Sequence, residues 1–130
     1  MNNRYIFRGK GNPKYNDGEW YYGHLIYDGS DYQIVDPEYG SCRRTVIAET
    51  IGQCTELTDK NGKLIFEGDI VKDTQSGICY FIKWFSECAC YSLANRNGEI
   101  NFGCDELEIF LDDLSVIGNV HDDDLLEVER

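Results

Sequence analysis

Thr58-Asp59-Lys60-Asn61-Gly62-Lys63-Leu64-Ile65-Phe66-Glu67-Gly68-Asp69-Ile70-Val71-Lys72 carries two turn signals separated by one short apolar run. Asn61-Gly62 is the dipeptide that best tolerates positive φ at both centres of a tight turn. Glu67-Gly68-Asp69-Ile70-Val71 reads as a turn feeding a strand. Gly68 supplies the bend, Asp69 holds it through its carboxylate, and Ile70 and Val71 enter the core. Downstream, Ile78–Phe85, Ala89–Leu93, Glu99–Phe102 and Leu114–Gly118 are rich in β-branched and aromatic residues, and Asn97-Gly98 adds a further turn. Five short strands at this spacing predict a small SH3-like barrel over residues 66–120.

The same alternation continues upstream. Arg4–Arg8 is a β-prone run that stops at Gly9-Lys10-Gly11-Asn12-Pro13. Glu19–Tyr27 and Tyr32–Val35 flank Asp28-Gly29-Ser30, which predicts a hairpin. Residues Asp36–Ser41 form a loop, and Thr45–Ala48 resumes a strand or makes one turn of helix. Only Asp105–Asp113 (one turn capped by Asp105) and Asp122–Glu129 (a short terminal helix or a frayed tail) look helical. The expected fold is mainly β with few short helices. An N-terminal β-hairpin lobe over 1–57 packs with an SH3-like barrel and acidic tail over 58–130, as two lobes or one unit.

Charge narrows the functions. Of 130 residues, 12 are Lys or Arg and 24 are Asp or Glu, a formal charge of −12. Residues 105–130 hold ten acidic side chains against Arg130 alone. Such a chain repels phosphate backbones, so nucleic-acid binding is disfavoured. The acidic end serves solubility or, as the sharper alternative, mimics nucleic acid toward a basic partner. The N-terminus lacks the apolar run of a signal peptide, and no stretch approaches the roughly 20 apolar residues of a membrane span. These features predict a cytoplasmic protein with no membrane contact. Without an export signal, Cys42, Cys54, Cys79, Cys88, Cys90 and Cys104 are expected as reduced, small, buried residues.

No pattern points to catalysis, a cofactor or a metal. His24 and His121 lie in no nucleophile–base motif. Cys88-Ala89-Cys90 is too tightly spaced for a zinc knuckle, which needs Cys-x-x-Cys to bring both thiolates to one ion. The conspicuous feature is the aromatic run Trp20, Tyr21, Tyr22, Tyr27 and Tyr32 on the predicted hairpin, of which alternation exposes about half. Arg4, Arg8, Lys10, Lys14, Arg43 and Arg44 place half of the basic residues in the same region. Trp20, Tyr22, Tyr27, Arg43 and Arg44 are therefore the candidate interaction surface.

The run Gly52-Gln53-Cys54-Thr55-Glu56-Leu57-Thr58 through Ile70-Val71 resembles the signature of the YopX family of phage and prophage proteins. Phe7-Arg8-Gly9 is similar to the family's opening, and Val116-Ile117-Gly118-Asn119-Val120-His121-Asp122 to its close. Three departures stand out: Cys54 replaces an aromatic, Glu56 replaces a glycine, and Asp122-Asp123-Asp124 stands where Glu-Asn-Pro is usual. The resemblance implies a β-rich fold with an SH3-like barrel, phage or prophage origin and self-association. It implies no catalytic residues. The resulting expectation is a non-enzymatic accessory protein, a homo-oligomer that engages a host or phage protein. Nucleic-acid engagement, direct or by acidic mimicry, is the alternative.

Overall fold

The computed structural model describes residues 5–38, 40, 42–100 and 111–122. Regular structure among them is almost entirely antiparallel strand, in keeping with the β-branched and aromatic runs. The chain divides into two compact units, a first, Met1–Cys54, and a second, Thr55–Arg130.

The first unit contains β1 (Phe7–Lys10), β2 (Trp20–Tyr27), β3 (Tyr32–Val35) and β4 (Arg43–Val46). It also holds the start of β5 (Gly52–Thr58), and its strands run in the order β4-β3-β2-β1-β5. The predicted hairpin is β2–β3, in register from His24↔Val35 to Tyr27↔Tyr32. The Asp28 carboxylate accepts the N–H groups of Ser30 and Asp31, and Gly29 takes a φ of 95°. Thr45–Ala48 resolves into both of its readings: β4 ends at Val46, and one 3₁₀ turn follows at Ala48–Thr50. β1 runs on through Gly9 to Lys10, past the expected stop. Gly9 is tolerated in this strand because a Cβ there would lie 2.8 Å from Val46 Cβ.

The second unit contains the rest of β5, then β6 (Leu64–Phe66), β7 (Asp69–Asp73), β8 (Cys79–Phe85), β9 (Cys90–Ala94) and β10 (Leu114–Asn119). β5 and β6 are neighbours, and the other four form a sheet ordered β10-β7-β8-β9. Ile70 and Val71 are both fully buried but belong to different clusters, because consecutive strand side chains point to opposite faces. Val71 packs with Ile65, Tyr80, Ile82, Leu93 and Leu114, whereas Ile70 packs with Cys79.

Among the described residues no closed barrel is present. Closure requires the edge strands β9 and β10 to be joined through further pairing. The run Glu99–Phe102, expected as the fourth of the five strands, contributes among the described residues a single bridge, Ala94↔Ile100. The strand that the sequence reading passed over is β5, whose Gly52, Gln53 and Glu56 lack β-branching. Of the expected helices, the described part of Asp105–Asp113 is one 3₁₀ turn, Leu111–Asp113, and the Asp122–Glu129 segment lies outside the described residues beyond Asp122.

Gly68 bends the chain with a φ of 90°, and the buried Asp69 carboxylate accepts the Phe66 N–H at 2.7 Å. Asp59–Lys63 is a wider turn than two central residues would give. Its ends bond from Asp59 N–H to Lys63 O at 2.9 Å, and only Gly62, not Asn61, takes positive φ. Asn95–Glu99 repeats this design: Asn95 Oδ1 accepts two backbone N–H groups and Gly98 takes a φ of 80°. Glu56 keeps a left-handed backbone, φ 70°, at the position where the signature that this run resembles carries glycine.

The cysteines depart from the expected set of buried thiols. Cys54 and Cys79 are buried thiols, Cys90 is half-buried, and Cys42 is exposed. Cys88 is disulfide-bonded, and Cys104 lies outside the described residues. Burial follows strand alternation and loop position, which a cysteine count does not encode.

Candidate functional site

The candidate site lies in the first unit and is built on β4. Cross-strand register pairs Val35 with Arg43, Ile34 with Arg44 and Gln33 with Thr45. Ile34 and Val35 are buried, while Arg43 and Arg44 at the neighbouring strand remain exposed. Residues 11–19 fold back alongside β4. Asn12 donates its N–H, and Asn16 its side-chain amide, to the Thr45 carbonyl, both at 3.0 Å. Asn16 Oδ1 in turn accepts the Gly18 N–H at 3.1 Å. Gly11 makes this approach feasible, since a Cβ there would come within 2.1 Å of Asn16 Oδ1.

Between this loop and β4 lies a pocket of about 290 Å³ lined by Tyr15, Asn16, Asp17, Tyr21, Arg43, Arg44 and Thr45. The Tyr21 hydroxyl donates to Asp17 Oδ1 at 2.5 Å. That bond, with a backbone N–H from Glu19, holds the Asp17 carboxyl below its ordinary range. It also raises the Tyr21 phenol, with partial burial acting in the same direction and the Arg44 guanidinium against it. Both groups therefore keep their ordinary charges at neutral pH: Asp17 ionised, Tyr21 protonated. Arg44 is oriented twice, by its guanidinium over the Tyr21 ring at 5.5 Å and by its Nη1 donating to the Arg43 carbonyl at 3.3 Å. Lys14 Nζ stands 5.4 Å from the centre of the Tyr15 ring.

The five candidate surface residues do not share one surface. Arg43 and Arg44 line the pocket. Trp20 is half-buried, with the Arg8 guanidinium 5.0 Å from its ring centre. Tyr22 and Tyr27 are both exposed, but an odd spacing along β2 sends them to opposite faces. Tyr27 instead joins Tyr32, its cross-strand partner, with ring centres 4.8 Å apart. Tyr15, Asn16, Asp17 and Thr45 were missed by the sequence reading. They meet Arg43 and Arg44 through bonds spanning 29 positions, for which no local pattern exists.

A second cavity, about 440 Å³, opens in the second unit beside Trp84, Phe85, Cys88 and Ile100. Its cation, Lys83, already donates to the Gly98 carbonyl at 3.0 Å. Among the described residues no three His, Cys, Asp or Glu side chains gather as a metal site, and no helix is long and apolar enough to cross a membrane.

A search of the curated proteins finds no match. The family model described as YopX protein matches residues 7–127, from the start of β1 to beyond β10. With nearly its whole length covered by that match, this chain belongs to the YopX family.

Proposed function

We propose that the chain is a non-enzymatic accessory protein, encoded by a phage or prophage, that works in the bacterial cytoplasm as a homo-oligomeric interaction module. The observation that carries this reading is the Tyr27–Tyr32 pair at the end of the β2–β3 hairpin. The two residues are 58% and 37% exposed, with rings in contact. Paired tyrosines offer large, rigid, amphipathic contact area at low cost in side-chain entropy.

Charge supports a second copy of the chain as the occupant of this face. The first unit has six basic against seven acidic residues, and the second has six against seventeen. Two copies meeting through first units therefore bring nearly neutral surfaces together, whereas second units repel. A host or phage protein would use the same tyrosines.

Size-exclusion chromatography with light scattering tests the reading. The native chain is expected to elute as an oligomer at micromolar concentration. The double variant Tyr27→Ser/Tyr32→Ser is expected to run as a monomer with an unchanged circular dichroism spectrum. A native chain that is monomeric at about 10 µM defeats the proposal, since that concentration corresponds to only about 7 kcal/mol of association free energy.

A further inference from the structure

We infer that the pocket between residues 11–19 and β4 is a binding site for a single nucleotide, its phosphate held by Arg43 and Arg44. The inference does not depend on self-association and uses different residues from the Tyr27–Tyr32 face.

The first ground is a local reversal of charge. The chain carries −12, yet two arginines line this pocket with Asp17 as the one acidic lining residue. Lys14 stands over the ring of Tyr15 at the same place. Two of the first unit's five described basic residues thus line one concavity, and Lys14 stands beside its Tyr15 wall. The Asp17 carboxylate offsets one of these positive charges and leaves the concavity net positive, which favours an anion there.

The second ground is orientation. A guanidinium presents a planar fork that matches two oxygens of a phosphate at once. Arg44 is already held by the Tyr21 ring and the Arg43 carbonyl, so binding would restrict little remaining freedom. Tyr21 is itself tied to Asp17. Asn16 and Gly11 bring the opposite wall close, an arrangement that solubility alone does not require.

The third ground selects the ligand class. Tyr15 is 58% exposed and offers ring surface for a planar base, with stacking worth about 1–3 kcal/mol per base. A pocket of about 290 Å³ suits a mononucleotide rather than a longer chain. Net charge points the same way. Repulsion from the rest of the acidic chain is screened within about 8 Å at physiological salt, so it acts weakly on one bound nucleotide. A polymeric strand extends over several such lengths and meets the full −12.

Titration of the full-length chain, followed by two-dimensional NMR at fixed ionic strength, tests the site. The probes are adenosine monophosphate, adenosine, inorganic phosphate and a single-stranded oligothymidylate. Adenosine monophosphate is expected to shift the Tyr15, Thr45 and Arg44 signals, with adenosine and phosphate each at least about tenfold weaker. Arg44→Ala is expected to weaken binding by about tenfold or more, and Arg44→Lys by less, because charge is kept while the fork is lost. Lys83→Ala, in the second unit, is expected to leave it unchanged. No shifts at these residues up to about 5 mM nucleotide would overturn the site. So would an equal loss in Arg44→Ala and Lys83→Ala. Tighter binding of the oligothymidylate than of the mononucleotide would overturn the single-nucleotide assignment.

Discussion

The second unit builds its interior from aliphatic and aromatic side chains on both faces of a sheet, with Ile65, Ile70, Val71, Ile82, Leu93 and Leu114 all at 2% exposure or less. The first unit has far less of this material: Ile34, Val35, Val46 and Cys54 are its buried apolar residues among those described. It compensates with backbone proximity. A Cβ on Gly23 would lie 2.1 Å from the Val35 carbonyl oxygen, and one on Gly9 would strike Val46. The polar residues differ as well. In the second unit Asp59 and Asp69 are buried and turned onto backbone N–H groups, whereas in the first Arg8 is the buried charge and Arg43, Arg44, Tyr15, Tyr22, Tyr27 and Tyr32 are exposed. One unit is therefore stabilised by its interior, and the other leaves Arg43, Arg44 and most of its described tyrosines at its surface.

Each unit carries one tryptophan, Trp20 in the first and Trp84 in the second. Unfolding of each can thus be followed separately in Trp84→Phe and Trp20→Phe backgrounds. The largest effect is expected from Asp59→Ala. Its Oδ1 accepts the N–H groups of Asn61 and Lys63, and its Oδ2 accepts that of Val116, at 2.8–2.9 Å. Losing three charge-assisted bonds costs about 3 kcal/mol, read as a lower urea midpoint by Trp84 fluorescence. Gly23→Ala should follow at about 2–3 kcal/mol, read by Trp20, because the clash is with backbone and cannot be relieved by a rotamer change. If both variants shift both tryptophans equally, the contrast between the units fails.

Acid should expose the same difference. Burial pushes the Asp59 carboxyl up, but the Val116, Lys63 and Asn61 N–H groups outweigh it and hold the group below its ordinary 3.8. A carboxylate lowered on folding contributes fully above that ordinary value, and its contribution disappears as pH falls through the folded value. The urea midpoint reported by Trp84 is therefore expected to drop below about pH 4, and the drop should be smaller in Asp59→Asn, which cannot titrate.

The smallest effect carries the opposite sign. Glu56 occupies left-handed backbone at φ 70°, which costs a residue with a Cβ about 1–2 kcal/mol. Glu56→Gly removes that strain and is expected to raise stability by about 0.5 kcal/mol after the greater freedom of glycine in the unfolded chain is counted. A lower melting temperature in this variant would mean that contacts of the Glu56 side chain outweigh the strain.

Turns were the most legible part of the molecule. Asp28-Gly29, Gly68-Asp69 and Asn97-Gly98 could be placed from residue types because positive φ and Asx hydrogen bonding act over two to four positions. The β2–β3 hairpin followed from them, as did the mainly β class. The Asn61-Gly62 turn was located, though its width was not, since Asp59 closes it from outside the dipeptide. β5 stayed hidden because its strand character comes from pairing β1 at Gln53↔Phe7 and Gly52↔Arg8 rather than from its own composition. The SH3-like barrel is not confirmed, because short strands with regular turns are equally consistent with an open sheet, and among the described residues β9 and β10 are not neighbours.

Residue order along the chain thus set the bends, the strand-forming runs and the uneven distribution of charge, all properties of neighbours. The three-dimensional arrangement alone brought Asn16 to Thr45 and Val116 to Asp59, and separated Tyr22 from Tyr27. Those outcomes depend on which strands pair and in what register. A shift of one residue would reverse every face, and that choice is made by packing across the whole sheet rather than by any single segment.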